Sequence, residues 1–181
     1  MALYGVEAPD IDDFVQPSDD GRERVDVHEQ DGFVEIAVSL PAEALEQAEA
    51  VSLDVYCQVV EGVSHFLYLV ERARRGLPAT QLELELQAEV DKYVVVSGVA
   101  RRMSPREPDR VRHRLFQQAR FLHPEGSEIG DRYRLANQLA SRFVRRLEPE
   151  LVHAREEGSV RKLRRFFDAG QREKIEMVLA A

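Results

Sequence analysis

The sequence has a single cysteine and no tryptophan among its 181 residues, and no apolar run approaches the ~18–20 residues of a membrane span. One cysteine excludes an internal disulfide and a zinc site built from several cysteines. The 10 glycines lie singly, which excludes a glycine-rich phosphate loop. The N-terminus lacks the positive and apolar segments of a secretory signal. These absences predict a cytoplasmic protein without a membrane segment.

The composition is typical of a globular chain, with 44% hydrophobic and 32% charged residues. The charge is unevenly distributed. Residues 1–100 carry 6 basic and 21 acidic side chains, a net charge of −15, whereas residues 101–181 carry 19 and 12, a net charge of +7. We expect the two halves to neutralise each other in part. The alternative is that the basic half binds an anionic partner, although the net charge of −8 opposes a polyanion at long range.

Turn and charge signals suggest how the chain is organised. Residues 1–21 mix acids, prolines and glycines without a period and predict an acidic, poorly ordered arm. Residues 22–181 are expected to form a single domain. Its predicted parts are a β-hairpin at 22–40, an acidic helical part at 41–103 and a basic helical part at 104–181.

The hairpin is predicted from alternating apolar residues on both sides of the sequence "EQDG". Asp31-Gly32 is a strong signal for a two-residue hairpin turn, and Pro41 ends the second strand. A lone hairpin is marginally stable in water. We therefore expect it to pack on the helices or to pair with another chain.

One long helix is predicted at about residues 53–75. Ser52 is its expected N-cap, and Gly76 and Pro78 its end. Apolar residues recur at steps of three and four along one face: Leu53, Tyr56, Val60, Val63, Leu67 and Val70.

The segment 80–99 fits two structures. Alternating leucines and acids in "LELEL" favour a strand, whereas Thr80 with Glu83 forms a capping box that favours a helix. We predict a helix, antiparallel to the helix at 53–75. The resulting fold class is mainly α, a bundle-like domain of about five or six helices with an N-terminal β-hairpin. The alternative is an α+β fold with residues 80–99 as a second hairpin.

A metal site is the first candidate for chemistry. Glu61 and His65 are spaced i, i+4, so their side chains can meet one ligand. Glu85 and Glu89 on a neighbouring helix would complete a carboxylate–histidine set, although the Glu-x-x-His repeat of helical di-metal proteins is missing. The simpler interpretation is that Glu61 and His65 belong to an ordinary solvent-exposed helix face. No cofactor is required by the sequence, but a divalent metal at these four residues is the alternative we retain.

Gly62 lies inside the helix predicted at 53–75, where glycine costs ~1 kcal/mol relative to alanine. Either a neighbouring helix approaches closely there, or a dent beside Glu61 and His65 admits a ligand.

Nucleophilic catalysis has little support. Cys57 is predicted to be partly buried on the long helix, without a histidine placed as its base. The sequence therefore favours a protein that is not an enzyme.

A basic row is the last candidate. Arg161, Lys162, Arg164 and Arg165 adjoin two phenylalanines, a combination that can bind nucleic acid through phosphates and stacked bases. At helical spacing the phenylalanines are more simply core residues.

The leading prediction is a non-catalytic, soluble interaction or regulatory protein. Its expected partner is another protein or a second copy of itself, bound through the hairpin edge or a helix face. A metal or small-molecule site and an anion-binding surface are the alternatives.

Overall fold

The computed structural model describes residues 3–7, 9–46, 51–101, 107–152 and 156–180. The chain divides into two compact units, one of residues 6–78 and one of residues 3–5 with 79–180. A single domain over residues 22–181 stays a prediction. Within the first unit, the apolar face of the long helix packs on the sheet and forms a core there. The predicted junction at residues 103–104 lies outside the described residues.

The first unit begins with a three-stranded sheet. Its strands are β1 (Val15–Pro17), β2 (Arg24–Gln30) and β3 (Phe33–Leu40). The strand order is β1-β3-β2, with β1 parallel and β2 antiparallel to β3. The hairpin predicted at 22–40 is therefore present, and Asp31-Gly32 forms its turn. Residues 15–17 also differ from the prediction, because a segment assigned to the arm pairs with β3.

Two helices follow the sheet, α1 (Ala42–Glu46) and α2 (Leu53–Arg74). The Ser52 hydroxyl accepts a hydrogen bond from the Val55 amide at 3.2 Å, which confirms the predicted N-cap. The apolar face of α2 covers the sheet, and the core of the unit contains Val38, Leu40, Phe66 and Leu67.

Gly62 is explained by the close approach of the sheet. A Cβ atom at this position would lie 3.0 Å from Leu40 Cδ2, 3.1 Å from Val38 Cγ1 and 3.2 Å from Glu23 Cγ. The neighbour is therefore a strand, where the sequence had suggested a helix. Glycine allows α2 to lie directly on β3.

The second unit is helical. Its helices are α3 (Gln81–Arg101), α4 (Glu107–Arg112), α5 (Glu128–Val152), α6 (Glu156–Asp168) and α7 (Gln171–Leu179), and a π-helical turn, His113–Gln117, extends α4. α3 packs against α4, α5 and α7. The described residues thus form seven α-helices with a small N-terminal sheet. This confirms the mainly α fold class, although five or six helices were expected.

Residues 81–99 are helical, which excludes the second hairpin predicted as the alternative for 80–99. The Thr80 amide donates to Glu83 Oε2 at 2.5 Å and the Glu83 amide to Thr80 Oγ1 at 3.2 Å, so the predicted capping box is confirmed. The misleading alternation has a structural cause. About half of α3 is buried, including Glu83, Glu85 and Asp91, so its polar residues do not mark a solvent face.

None of the helices in the described chain carries an apolar stretch long enough to cross a bilayer.

Candidate functional site

The far end of the hairpin is exposed on both faces. Val27 is 46% exposed, Phe33 77% and Val34 45%. Only the half of β3 that continues to Leu40 is buried under α2. Val27 and Val34 lie on the face that carries the core residues Val25 and Val38 nearer to α2, because side chains alternate along each strand. The core face of the sheet thus extends into solvent.

β2 is also an edge strand. No further strand of the described chain pairs with its outer side. The other side of the hairpin is less open, because β1 pairs with Val38–Leu40 and the 3-10 turn Ile11–Phe14 contacts β3. An exposed edge strand presents a row of amide and carbonyl groups to which another strand can bind.

The turn determines which groups of β2 face outward. Asp31 and Gly32 both have positive φ angles, 52° and 80°, as a type I′ turn requires. The residues that flank such a turn, here Gln30 and Phe33, bond to each other through their main chains. The main-chain amide and carbonyl of successive residues point alternately toward and away from the neighbouring strand. Since those of Gln30 point toward β3, the amides and carbonyls of three residues of β2 point away from it. They are Val25, Val27 and Glu29.

The structure brings two of the predicted metal ligands together. A carboxylate oxygen of Glu61 and a ring nitrogen of His65 lie within 4.8 Å of each other. His65 is only 7% exposed. Its Nδ1 lies 3.3 Å from Glu23 Oε1, and the Glu23 amide donates to Gln58 Oε1 at 3.0 Å. Sequence reasoning did not find Glu23, because it lies 42 residues before His65 and only the sheet brings it near.

The other two predicted ligands, Glu85 and Glu89, belong to α3 in the second unit, and the four-residue set as a whole stays a prediction. Glu85 is buried. Glu89 Oε1 accepts a hydrogen bond from Lys92 at 2.7 Å, and its Oε2 accepts one from Asn137 at 3.2 Å. These contacts account for Glu89 without a metal.

The basic row lies on the outer side of α6. Arg161, Lys162, Arg164 and Arg165 are exposed, whereas Phe166 and Phe167 are buried in the core of the unit. Arg164 Nε donates to the Leu3 carbonyl at 2.8 Å. Buried phenylalanines cannot stack on nucleic-acid bases, so the anion-binding prediction retains only its charge argument.

A buried polar network in the second unit was missed by sequence reasoning. Lys174 is fully buried, and its Nζ donates to Gln87 Oε1 at 2.7 Å and to the Phe166 carbonyl at 2.5 Å. Gln87 Nε2 donates to Asp91 Oδ1 at 3.1 Å, and Asp91 also accepts from the Tyr4 hydroxyl. Burial, followed by the Asp91 charge, raises the pKa of Tyr4 well above its ordinary value. The available signal was the i, i+4 spacing that puts Lys174 on the face of buried Val178.

This network fixes the N-terminal segment to the helices of its own unit. The Tyr4 ring stacks on Phe167 with centroids 4.4 Å apart. A buried, hydrogen-bonded network of this kind stabilises a fold. We assign it a structural role.

Comparisons with family models, curated proteins and solved structures found no match to this chain.

Proposed function

We propose that this chain is a non-catalytic interaction protein that binds a polypeptide by adding a strand to the outer edge of β2. The observation that carries the proposal is the open edge of β2 beside exposed Val27, Phe33 and Val34. Strand addition uses the main chain for affinity and alternate side chains for specificity. A cytoplasmic location is part of the proposal.

The proposed interface has both requirements for strand addition. The outward amides and carbonyls of Val25, Val27 and Glu29 supply up to six main-chain hydrogen bonds, each contributing about 0.5–1.5 kcal/mol net. Val27 and Val34 add apolar area that is now exposed to water. Exposed apolar area beside an open strand edge is a liability in an isolated monomer, and a partner strand would pair with the edge and contact Val27.

The proposal is tested by cross-linking in cells that produce the full chain. A photoreactive amino acid replaces Val27, and in a matched control it replaces Val99, which is 52% exposed on α3. We expect a polypeptide adduct from position 27 that is at least about tenfold more abundant than any from position 99, because position 27 lies on a strand edge and position 99 lies on a helix, whose main-chain groups cannot pair with a strand. Equal adducts from both positions, or none from position 27, would contradict strand addition.

A second candidate function is metal binding at Glu61 and His65. It is favoured by the contact between His65 Nδ1 and Glu23 Oε1 at 3.3 Å. A histidine that binds a metal commonly donates its other ring N–H to a carboxylate, which fixes the tautomer and the ring orientation. Donation from Nδ1 to Glu23 would direct the lone pair of Nε2 to the ligand, with the Glu61 carboxylate within reach.

The metal proposal is tested with ZnCl2 and purified protein by isothermal titration calorimetry and elemental analysis. Zn²⁺ is chosen because it accepts both imidazole and carboxylate ligands. We expect one equivalent of Zn²⁺, with binding at least about tenfold weaker in His65→Ala and Glu61→Gln. The control is His113→Ala, which removes an exposed histidine of the other unit. Zn²⁺ binding that is unchanged in His65→Ala would refute this site.

A further inference from the structure

The sequence of β2 is complementary to itself when two copies run antiparallel. In the pairing centred on Val27, Asp26 lies opposite His28 of the second copy, and His28 lies opposite the second Asp26. Arg24 lies opposite Gln30, so no like charges face each other directly. All seven residues of Arg24–Gln30 then take part. Opposite pairs of this kind stabilise antiparallel strands.

The direction of the main-chain groups agrees with this register. Outward-facing Val25, Val27 and Glu29 must pair with outward-facing residues of the second strand. Centring on Val27 pairs Val27 with itself and Val25 with Glu29 of the second copy, so every outward group has a partner.

The neighbouring symmetric registers are worse. Centring on Asp26 brings the two Asp26 carboxylates opposite each other and leaves Glu29 and Gln30 without partners. Centring on His28 places the two His28 rings opposite each other and leaves Arg24 and Val25 without partners. Each pairs only five residues per strand, and directly opposed like charges are destabilising.

We infer that a second copy of this chain is the partner, joined to the first through antiparallel β2 strands centred on Val27 in a two-fold symmetric, six-stranded sheet. This inference rests on the proposed strand addition at β2. The Val27 side chains of the two copies then lie side by side across the two-fold axis, on the face that also carries Val34, and this contact reduces the exposed apolar area at the edge. A shared interface of this type is isologous and closes at two copies.

The register is read directly by a cysteine series in full-length protein, in which Cys57→Ser removes the native thiol. Three variant proteins are each oxidised at a protein concentration where the chain associates; they carry Val27→Cys, Asp26→Cys or His28→Cys. In the inferred register the two Val27 Cα atoms are about 5.5 Å apart, within disulfide range. The two Asp26 Cα atoms, and the two His28 Cα atoms, are about 8 Å apart and beyond it. We expect a disulfide-linked dimer from Val27→Cys, at least about fivefold more than from either neighbour.

A charge exchange provides an independent test by sedimentation equilibrium. Asp26→Lys and His28→Asp are each expected to raise the dissociation constant of the dimer about tenfold. Asp26→Lys removes both Asp26–His28 pairs across the two-fold axis, and His28→Asp opposes two carboxylates there twice. The double variant places lysine opposite aspartate across the two-fold axis. Its dissociation constant is expected to lie within about threefold of that of the unchanged protein.

The intrachain contacts of the sheet oppose the restoration. Asp26 forms an ion pair with Arg24 at 2.9 Å, and His28 lies opposite Glu35 of β3. The double variant therefore places Lys beside Arg24 and Asp opposite Glu35, so both of these intrachain interactions become worse. Recovery of the dimer must come from the second copy.

The outcomes separate the two proposals. A monomer at all concentrations, together with cross-links from position 27 to a different polypeptide, overturns self-association and leaves strand addition standing. No cross-link from position 27 overturns both. A disulfide-linked dimer formed equally well from all three cysteine positions, or a double variant weaker than both single variants, overturns the Val27-centred register.

Discussion

Lys174→Ala is expected to lower the free energy of unfolding of the second unit by about 3–5 kcal/mol. The side chain has no exposed surface, and its Nζ bonds to Gln87 and to the Phe166 carbonyl. It also lies 4.3 Å from the centroid of the Phe166 ring, a cation–π contact. Removing the ammonium leaves the Gln87 amide oxygen and the Phe166 carbonyl without this donor. It also removes the cation that Gln87 connects to the Asp91 carboxylate. Uncompensated buried groups of this type cause large losses of stability.

The measurement is urea unfolding by circular dichroism, with amide hydrogen exchange of α3 to report on the second unit alone. Lys162→Ala on α6 is the matched control, because Lys162 is exposed and its replacement should change stability by less than about 0.5 kcal/mol. Lys174→Met separates charge from packing, because it keeps most of the buried apolar stem. Equal effects of Lys174→Ala and Lys162→Ala would show that the buried network does not stabilise the unit.

Gly62→Leu is expected to destabilise the first unit by about 2–4 kcal/mol. Its Cβ would already meet Leu40, Val38 and Glu23 at 3.0–3.2 Å, and the remaining side-chain atoms would have to displace the sheet. Overpacking of a dense core typically costs ~1–3 kcal/mol, and a bulky residue at a helix–strand contact lies at or above that range. The loss should appear as faster amide exchange in β3.

Gly98 provides the matched control for the intrinsic helix preference. A Cβ atom at Gly98 on α3 would have nothing within 4 Å. Gly98→Ala should therefore stabilise the protein by about 0.5–1 kcal/mol, since alanine restricts the unfolded chain and favours the helix. At Gly62 the same gain is opposed by the contact with the sheet. Gly62→Ala should therefore raise the free energy of unfolding less than Gly98→Ala does. Stabilisation of Gly62→Ala equal to that of Gly98→Ala would contradict the close approach of β3.

Signals that act over a few residues were read correctly from the sequence. Ser52 caps α2 and Thr80 with Glu83 caps α3, because a capping hydrogen bond needs only residues within one helical turn. The Asp31-Gly32 turn fixes the hairpin for the same reason, since two positive φ angles determine its form. The helix α2 ends at Arg74, within one residue of the predicted end. The i, i+4 spacing also accounts for the proximity of Glu61 and His65, whereas a metal site at these residues stays a prediction.

The environment of each polar side chain was decided by tertiary structure. Asp91 meets Tyr4 across 87 residues of sequence, and Lys174 meets Gln87 across the same separation. His65 obtains Glu23 only because α2 packs on the sheet. β2 is an edge because β1 occupies the other side of β3. Sequence periodicity reports which residues share a face, whereas burial of that face depends on partners that the chain supplies from far away. Local structure and candidate residues were therefore determined by the sequence itself, and the buried network and the open strand edge by tertiary packing.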